Sequence, residues 1–446
     1  MQEPVISVGI ISSQKIRFEL HGGYIIQGRN EWLRGAYTAE IKGGKILIRG
    51  EKFSSQFDDE VLFEPDTYKD DSFKLKDVII GVQFHWERKE TEAFRGTLRI
   101  IKEGDKITAI NLIRLEDYLV SVISSEMSAK SSLALLKAHA VISRSWLIAQ
   151  IERSRAVKEG SESAVSTITS DNEFIRWYDR EDHQHYDVCA DDHCQRYQGI
   201  TKIFTEAAQQ AVAETRGLAL MYGDTVCDAR FSKSCGGISE AFENVWGNNP
   251  TPYLIPVIDY KFEPDNYDIR FTNERNAEKW IKGNPPAFCN TTDAKILAQV
   301  LLDYDQETRD FYRWKVVYKQ KELSELIKAK TGHDFGDILD LIPVERGASA
   351  RLIKMKITGS KKELIIGKEL EIRRALSKSH LYSSAFIIEK GPEKDGVPSS
   401  FTLTGAGWGH GVGLCQIGAA VMAEKGFLFD EILLHYYRNA RLKTVY

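Results

Sequence analysis

Four residues with metal-binding side chains lie within twelve positions of one another in the segment HQHYDVCADDHCQRYQG. His183, Cys189, His193 and Cys194 offer two imidazoles and two thiols, a ligand set that suits tetrahedral zinc. His185 is an alternative to His183. A disulfide between Cys189 and Cys194 is the competing interpretation, because such bonds form in exported proteins. The residue types favour zinc, although the spacing is not that of a standard zinc finger.

A single glutamate, Glu126, stands between an apolar run and a polar turn in the segment VISSEMSAK. A carboxyl group that is partly buried at such a junction has a raised pKa and can act as a general acid near neutral pH. Glu126 could equally be a solvated residue, or a charge that interacts with the macrodipole at a helix start. The residues alone favour this second, structural interpretation.

The segment GAGWGHGVGLCQIGA carries a glycine at every second position from Gly405 to Gly413. In an extended strand, Trp408 and His410 would share one face and the opposite face would be bare. Glycine inside a strand often marks the close approach of a ligand or of another segment. We predict a packed strand whose bare face contacts a ligand, with a tight structural crossing as the alternative. A flexible linker is disfavoured, since linkers are rich in serine and lack such large side chains.

The segment FSKSCGG places three potential nucleophiles, Ser232, Ser234 and Cys235, before two glycines. No partner that could activate them is evident nearby, and the chain contains neither a G-x-S-x-G elbow nor an H-E-x-x-H motif. Hydrogen bonding of the hydroxyls to a sugar or a peptide is favoured over nucleophilic catalysis. An ordinary turn is favoured over both.

The elements that must position these residues follow from periodicity. Residues 4–110 alternate β-branched and aromatic runs with Gly-containing turns, which predicts strands joined by hairpins. LEDYLVSVISSEM and SAKSSLALLKAHAVISRSWLIAQIERS have the helical period, and Ser128 or Ser131 is expected to cap the second helix. Further helices are predicted at TEAAQQAVAETRG, NAEKWIKG, KELSELIKAKTG, QIGAAVMAEKG and the C-terminal FDEILLHYYRNARL.

Length and composition limit the class of protein. The 446 residues are enough for two or three domains, or for one core with large insertions. A net charge of −4 argues against a nucleic-acid partner, whose binding proteins usually carry a basic excess. No apolar run approaches the roughly 18 residues of a transmembrane segment, and no export signal is visible at the N-terminus. Six cysteines are too few for a disulfide scaffold in so long a chain.

Several motifs, in this order, resemble the SpoIID/LytB family of peptidoglycan-active proteins. They are LEDYLVSVISSEM, LALLKAHAVISRSWLIAQ, SKSCGG, ERGASARLIKMKITG, GKELEIRRALS and GWGHGVGLCQIGAAVMAEKG. The resemblance is specific because separated motifs keep their order, and it extends from about residue 105 to the end of the chain.

The motifs and the periodicities together lead us to expect a mixed α+β fold. A β-rich N-terminal region over residues 1–104 is expected to precede a SpoIID/LytB-like domain over residues 105–446. Within that domain we expect the catalytic helices and the Cys/His cluster over 105–250. A second lobe or α/β insertion is expected over 251–400, and a glycine-rich strand with C-terminal helices over 401–446 completes the core.

The resemblance implies a lytic transglycosylase that cleaves bacterial cell-wall glycan between N-acetylmuramic acid and N-acetylglucosamine. The family's catalytic glutamate corresponds to Glu126, which outweighs the structural interpretation of that residue. Part of the family has a cysteine–histidine zinc site, and the cluster over 183–194 resembles it. Zinc is not required for the chemistry and would be structural or would orient the substrate.

The resemblance also implies partners and a location. Peptidoglycan glycan strands are the expected substrate, and a cell-wall amidase is the expected protein partner, in the periplasmic or extracellular part of the cell envelope. Substrate contacts are expected from Arg144, Ser234, Trp408, His410 and Gln416. Because some relatives enhance a separate amidase, a non-catalytic glycan-binding module is the alternative function. A zinc-dependent hydrolase centred on the Cys/His cluster is a third.

The chain departs from the family pattern at three positions. Ser128 stands where many relatives have proline, Cys415 stands where serine is common, and His139 replaces a frequent glutamine. None of these changes removes the expected acid.

Overall fold

The structure, a computed structural model, confirms the mixed α+β class. It describes residues 2–81, 87–128, 130–158, 167–177, 183–191, 193–203, 206–301 and 310–446. Within these ranges, no helix is both long enough and apolar enough to cross a membrane. Thr205, the first residue of one predicted helical segment, lies outside the described residues.

A helix forms in each segment where the sequence predicts one, although the last helix ends at Tyr436 and the final residues of its predicted segment, Arg441 and Leu442, belong to a strand. In the described part of the chain the helices are α1 (Leu115–Glu126), α2 (Leu133–Lys158), α3 (Glu206–Glu214), α4 (Phe242–Val245), α5 (Glu274–Lys282), α6 (Ala294–Val300), α7 (Gln320–Thr331), α8 (Glu369–Ala375), α9 (Gln416–Glu424) and α10 (Phe429–Tyr436). The short helices α4, α6 and α8 were not anticipated, because too few turns are present for a helical period to be recognised.

The strands of the N-terminal half are β1 (Val5–Ser13), β2 (Lys15–Ile26), β3 (Trp32–Lys42), β4 (Lys45–Gly50), β5 (Ser54–Phe57), β6 (Glu60–Pro65), β7 (Ser72–Ile80), β8 (Arg88–Phe94), β9 (Thr97–Glu103), β10 (Lys106–Arg114), β11 (Thr167–Thr169), β12 (Glu173–Arg176) and β13 (Val188–Cys189). Those that follow are β14 (Leu218–Tyr222), β15 (Thr225–Val226), β16 (Phe231–Ser232), β17 (Arg313–Lys319), β18 (Ile338–Arg346), β19 (Leu352–Gly359), β20 (Glu363–Gly367), β21 (Phe386–Lys390), β22 (Glu393–Lys394), β23 (Val397–Pro398), β24 (Ser400–Ala406), β25 (Leu414–Cys415) and β26 (Arg441–Thr444).

One eleven-stranded sheet contains the β-rich N-terminal region. Its strand order is β13-β1-β10-β9-β6-β2-β3-β4-β5, and β7 pairs with β2 and β8. Alternate side chains of strands such as β2 are buried, as the period of two predicts. The boundary expected between residues 104 and 105 falls in the turn that joins β9 to β10, two strands that pair with each other. The sheet therefore crosses this boundary and reaches directly into the helical core.

The helices that carry the candidate acid pack on one another behind this sheet. α1 begins as soon as β10 ends, and its apolar stripe of Leu115, Leu119, Val122 and Ile123 is fully buried. The stripe of α2 that comprises Leu136, Ala140, Ser143 and Leu147 is buried as well. α2 contacts α1, α3, α9, α10 and β14, so it is the central helix of the core.

Ser132 caps α2, so the prediction of Ser128 or Ser131 was wrong. The Ser132 hydroxyl accepts a hydrogen bond of 3.4 Å from the amide of Leu135, the contact made by an N-cap residue. Ser131 instead donates its hydroxyl proton to the carbonyl of Gln299 at 2.6 Å. Three serines, Ser128, Ser131 and Ser132, lie in this short segment, and a partner distant in sequence decides which of them remains available as the cap.

Residues 313–406 form most of a second lobe with an apolar core of its own. It contains a five-stranded sheet of order β11-β12-β20-β19-β18 and a three-stranded sheet of order β17-β24-β21. β11 and β12 precede the expected lobe in sequence, and most of β24 follows it. The second lobe is therefore completed by strands from both flanking segments.

Candidate active site and metal-binding clusters

The four predicted metal ligands lie together. The ligand atoms of His183, Cys189, His193 and Cys194 are all within 4.8 Å of one another. His183 Nε2 lies 3.4 Å from Cys194 Sγ, and His193 Nδ1 lies 3.5 Å from the same sulfur and 3.8 Å from Cys189 Sγ. Around a tetrahedral zinc ion, with bonds of 2.0–2.3 Å, neighbouring nitrogen and sulfur atoms are about 3.5 Å apart. The residues therefore fit zinc, and a disulfide would leave both imidazoles without a role.

His185, the alternative ligand, is not part of this cluster. Its Nε2 lies 3.4 Å from a carboxylate oxygen of Glu103. The hydrogen bond with Cys194, followed by those with His183 and His193, holds the pKa of Cys189 well below its usual range. Since the thiolate is the form that binds metal, the cluster favours the protonation state that a zinc ion requires.

The N-terminal sheet holds the loop that carries the cluster. β13 pairs in parallel with β1, so that Val8 is opposite Val188 and Gly9 is opposite Cys189. Asp187, just before β13, accepts hydrogen bonds from the Ser7 amide at 2.8 Å and from the Ser7 hydroxyl at 2.7 Å. The position of Cys189 is thus set by the first strand of the chain.

Glu126, the predicted catalytic acid, is the last residue of α1 and is partly exposed. Its Oε1 accepts a hydrogen bond of 3.1 Å from the backbone amide of Arg196, two residues after Cys194. The other carboxylate oxygen has no hydrogen-bond partner among the described residues. One oxygen is thus held in place while the other can exchange a proton with a bound molecule.

The segment that follows Cys194 is bound along α1. Gln195 accepts a hydrogen bond of 3.3 Å from the hydroxyl of Tyr118, and Tyr197 stacks on Tyr118 with ring centroids 5.0 Å apart. The amide of Gln198 donates to the hydroxyl of Ser121 at 3.2 Å. The metal-binding loop and the helix that carries Glu126 therefore form one connected unit, which the sequence did not predict.

The turn after Glu126 is fixed by Gln299, another residue that the sequence analysis missed. The Gln299 carbonyl accepts hydrogen bonds from the Ser128 amide at 3.1 Å and from the Ser131 hydroxyl, while its side-chain oxygen accepts from the Ser132 amide at 2.9 Å. Its side-chain nitrogen donates to Glu424 at 2.6 Å. The C-terminal end of α1 is therefore held from two sides.

The glycine-rich segment is not the continuous strand that we predicted. β24 ends at Ala406, and the next four alternate glycines, Gly407, Gly409, Gly411 and Gly413, have φ angles between +73° and +91°. Residues with side chains rarely adopt this left-handed region. Glycine recurs at every second position because the backbone takes a left-handed conformation at each of these four residues. The segment is therefore not extended, although its sequence has the period of a strand.

Other segments of the same chain, and not a ligand, lie close to these glycines. This is the tight structural crossing that we gave as the alternative. A Cβ atom at Gly407 would lie 2.8 Å from the Ser234 carbonyl oxygen, and one at Gly413 would lie 1.9 Å from that of Arg230. Residues 230–237 thus lie against Gly407, Gly409 and Gly413, and the side chain of Arg351 lies against Gly411. The prediction of a ligand against that side was wrong.

His410 is held by the backbone and does not offer its ring nitrogens to a substrate. Nε2 donates to the Phe231 carbonyl at 2.8 Å, and Nδ1 accepts from the Val412 amide at 3.1 Å. Burial, reinforced by the charges of nearby arginines, lowers the pKa of His410 well below its usual value, so the ring is neutral. The predicted substrate contact through this imidazole is replaced by a structural role.

Trp408 and Ser234 are paired, but only the tryptophan is accessible. Each donates its amide proton to the carbonyl of the other, at 3.0 and 2.8 Å. Trp408 is partly exposed and packs between Phe311 and Tyr382, with ring centroids 4.6 and 4.5 Å away. Ser234 is fully buried, which removes it as a direct substrate contact.

Arg144 and Gln416 are also buried, and their side chains serve the core. Arg144 donates from Nε and Nη2 to the two carboxylate oxygens of Glu116, at 3.0 and 2.6 Å, and from Nη1 to the Leu218 carbonyl. Gln416 Nε2 lies 3.1 Å from Nε2 of the buried His139. These contacts are structural, contrary to the substrate contacts that we predicted.

A second group of metal-binding side chains was missed by the sequence analysis. Cys235, Asp259, Cys289 and Cys415 are all buried, and their ligand atoms lie within 4.8 Å of one another. Cys235 and Cys415 had each been noted separately. Because the four residues are spread over 180 positions, no local spacing could reveal them.

Comparison with known proteins shows which family these features resemble. Residues 103–222 match the family model described as stage II sporulation protein (SpoIID), and residues 240–413 match a domain of unknown function (DUF8618). The first matched segment carries both Glu126 and the whole Cys/His cluster. The resemblance to the SpoIID family that the motifs predict is therefore confirmed over this segment.

Individual relatives agree with this assignment. Stage II sporulation protein D of Bacillus amyloliquefaciens is 26% identical over 332 residues, which cover 74% of each chain. The amidase enhancer of Bacillus subtilis (strain 168) is 27% identical over 250 residues, which cover 53% of this chain and 32% of that protein. An uncharacterised protein of Brachyspira hyodysenteriae is 24% identical over 415 residues, 91% of this chain and 89% of its own. These relationships support a role related to the cell wall.

Proposed function

We propose that this protein is a lytic transglycosylase that cleaves peptidoglycan glycan strands between N-acetylmuramic acid and N-acetylglucosamine, with Glu126 as the only acid/base. The observation that carries the proposal is the Glu126 carboxylate at the end of α1, held through one oxygen by the Arg196 amide. Similarity to the SpoIID family over the segment that contains this glutamate supports the substrate class.

One carboxyl group is enough for this reaction, because no water molecule has to be activated. Protonated Glu126 gives its proton to the glycosidic oxygen, and the bond from that oxygen to C1 of N-acetylmuramic acid breaks. The 6-hydroxyl of the same sugar then attacks C1, and its proton passes to the Glu126 carboxylate. The products are a free 4-hydroxyl on N-acetylglucosamine and a 1,6-anhydro ring. Glycosidases that hydrolyse the bond use a second carboxylate for water or as a nucleophile.

The Cys/His cluster is proposed to bind zinc in a structural role. A zinc ion held by four protein ligands has no open position and contributes to folding free energy. His183, Cys189, His193 and Cys194 would then fix the loop whose next residues bind α1. Arg196 is thereby positioned to orient the Glu126 carboxylate, which links the cluster to the reaction without contact with the substrate.

Trp408 is the remaining candidate for a contact with the glycan. Trp408 is partly exposed, and its ring packs against the rings of Phe311 and Tyr382. An aromatic face that is held rigidly can pack against the apolar face of a sugar ring at little entropic cost. A cell-envelope location, periplasmic or extracellular, follows from the proposed substrate.

A non-catalytic role as an amidase enhancer is the second candidate. The match to the protein of that name in Bacillus subtilis favours it, although the match covers only 32% of that protein. In this role the chain would bind glycan and a cell-wall amidase, and the Glu126 carboxyl would not be needed for chemistry.

The test is digestion of peptide-stripped glycan strands by the wild type, by Glu126→Gln and by the control Glu206→Gln. Glu206 is an exposed carboxylate at the start of α3 in the same matched segment. We expect 1,6-anhydro products, one water lighter than hydrolysis products, from the wild type and the control, and a loss of at least 100-fold with Glu126→Gln. Equal activity of Glu126→Gln would refute the role of this residue. Absence of cleavage by all three, with binding retained, would favour the enhancer.

A further inference from the structure

We propose that Cys235, Asp259, Cys289 and Cys415 form a second zinc site, distinct from the Cys/His cluster and buried in the core. The ligand atoms of the four residues lie within 4.8 Å of one another, and none of the residues is more than 2% exposed. The inference does not depend on the proposed enzymatic function.

The separation of the sulfur atoms fits a single zinc ion. Cys235 Sγ and Cys289 Sγ are 3.8 Å apart. In a tetrahedron with zinc–sulfur bonds of about 2.3 Å, the edge between two sulfurs is about 3.8 Å. A disulfide brings its sulfurs to about 2.05 Å and joins only two of them. It would leave the third thiol and the carboxylate unexplained.

Asp259 is the residue that most strongly indicates a cation. It is fully buried, and no lysine, arginine or histidine pairs with its carboxylate among the described residues. Buried charges in proteins are paired with an opposite charge or coordinate a metal. A metal ion bound by the adjacent thiolates would supply the missing positive charge.

The four ligands are oriented by hydrogen bonds of the kind that surrounds metal sites. The Cys289 amide donates to Asp259 Oδ2 at 2.8 Å, and the Tyr436 hydroxyl donates to Oδ1 at 2.5 Å. The Cys235 amide donates to Cys415 Sγ at 3.3 Å, and the Gly237 amide donates to Cys235 Sγ at 3.4 Å. When a metal is bound, these donors would stabilise the negative charge on sulfur and oxygen.

Four protein ligands make a closed site, so the zinc would be structural. Asp259 and Cys289 lie within the matched segment 240–413, whereas Cys235 and Cys415 flank it. Cys415 directly precedes α9, and Cys235 follows the residue that pairs with Trp408. The ion would therefore fasten both ends of this segment to the helical core and hold the glycine run against the FSKSCGG segment.

The first measurement is the zinc content of the purified full-length protein, with X-ray absorption at the zinc edge. We expect two zinc ions per chain and an average of about 2.5 sulfur ligands per zinc, from one site with two sulfurs and one with three. The double variant His183→Ala/His193→Ala should keep one zinc with three sulfurs and one oxygen. One zinc per wild-type chain with two sulfurs and two nitrogens would overturn the proposal, even if the double variant does not fold.

The second measurement uses Cys415→Ser, with Cys227→Ser as the matched control. Cys227 is also buried but belongs to neither cluster. We expect Cys415→Ser to lose one zinc ion and Cys227→Ser to keep both. The wild type is also denatured without reductant, its metal is chelated, and its free thiols are alkylated. Cys235, Cys289 and Cys415 should then all be labelled. A mass two units lower for the pair Cys235–Cys289 would show a disulfide instead and would reject the site.

Discussion

The guanidinium group of Arg351 lies directly against Gly411. A Cβ atom at Gly411 would be 2.3 Å from Arg351 Cζ, and the glycine has a φ angle of +80°. Arg351 is buried there and donates hydrogen bonds to the carbonyls of Cys235 at 3.0 Å and of Gly409 at 3.1 Å. The second lobe therefore inserts a charged side chain into a space that exists only because position 411 lacks a side chain.

This contact predicts that Gly411→Ala destabilises the protein more than strain in the backbone alone would. The control is Gly426→Ala, where φ is +86° but the space around the position is open. We expect about 1–2 kcal/mol of lost unfolding free energy for the control, from the left-handed conformation. A further 1–3 kcal/mol is expected for Gly411→Ala, from overpacking. Urea unfolding measures both, and equal losses would contradict the role of Arg351.

Removing only one partner of the buried Arg144–Glu116 ion pair should greatly lower the unfolding free energy. Arg144→Met leaves the buried Glu116 carboxylate without its cation, which costs about 3–5 kcal/mol of unfolding free energy. Arg144→Met/Glu116→Leu removes both charges and should be more stable than the single variant. Arg270→Met, which breaks an exposed pair with Asp268, should change the unfolding free energy little. A double variant as unstable as the single one would show that packing, not charge, dominates.

The buried imidazole of His139 predicts loss of stability in acid. Burial, together with the charge of Lys233, lowers its pKa to about 3. Between about pH 3 and 6.5 the unfolded chain therefore binds a proton that the folded chain does not, so the unfolding free energy rises with pH across this window. The contribution of neutral His139 to the unfolding free energy is complete above pH 6.5 and is lost as the pH falls through 3. The amplitude is on the order of a few kcal/mol.

The variant His139→Gln tests this assignment, because glutamine can still bond with Gln416 but does not titrate. Its unfolding free energy should depend less steeply on pH between 4 and 6.5 than that of the wild type. Part of the slope will remain, since burial also lowers the pKa of His380 and His435 to about 4. An unchanged slope would exclude His139 as a source of acid sensitivity.

The carboxyl group of Glu92 predicts a pH dependence of the unfolding free energy that is opposite in sign to that of His139. Burial in the N-terminal sheet raises the pKa of this carboxyl to about 7. Between about pH 4.5 and 7 the folded chain holds a proton that the unfolded chain has lost, so this contribution to stability is complete below pH 4.5 and disappears as the pH rises through 7. Glu92→Gln keeps an acceptor for the Gln198 amide group at 3.3 Å and stays neutral. It should be more stable than the wild type at pH 8 and similar at pH 4, by thermal unfolding.

Local patterns predicted most elements because their signals lie within one element. The buried stripes of α1 and α2 and the hairpins of the N-terminal sheet were read from periods of 3.6 and 2. The proximity of the Cys/His ligands was predicted for the same reason, since the four residues lie within twelve positions of the sequence. The role of Glu126 rests on a family motif that is equally local, and it stays a prediction. Four of the five expected substrate contacts, namely Arg144, Ser234, His410 and Gln416, were not predicted correctly, because burial depends on which distant segment covers a residue. Arg144 is covered by Glu116 and Leu218, and no local pattern contains that information.

The glycine run shows a different limit. A glycine at every second position has the period of a strand, yet the four glycines from Gly407 to Gly413 have positive φ angles, so the chain is not extended there. The second metal-binding cluster shows a third limit, since Cys235 and Cys415 meet only after the chain has folded back over 180 positions. Periodicity reports on residues that are close in sequence, whereas both of these features depend on contacts between residues that are far apart in sequence.

The parallel pairing of β1 with β13 has a consequence for truncation of the chain. The first strand pairs with the strand that contains Cys189, and Asp187 is hydrogen-bonded to Ser7 beside it. A fragment that begins at residue 103, where the SpoIID match starts, would contain the Cys/His loop without the strand that holds it. We therefore expect such a fragment to lose the arrangement of the four ligand side chains.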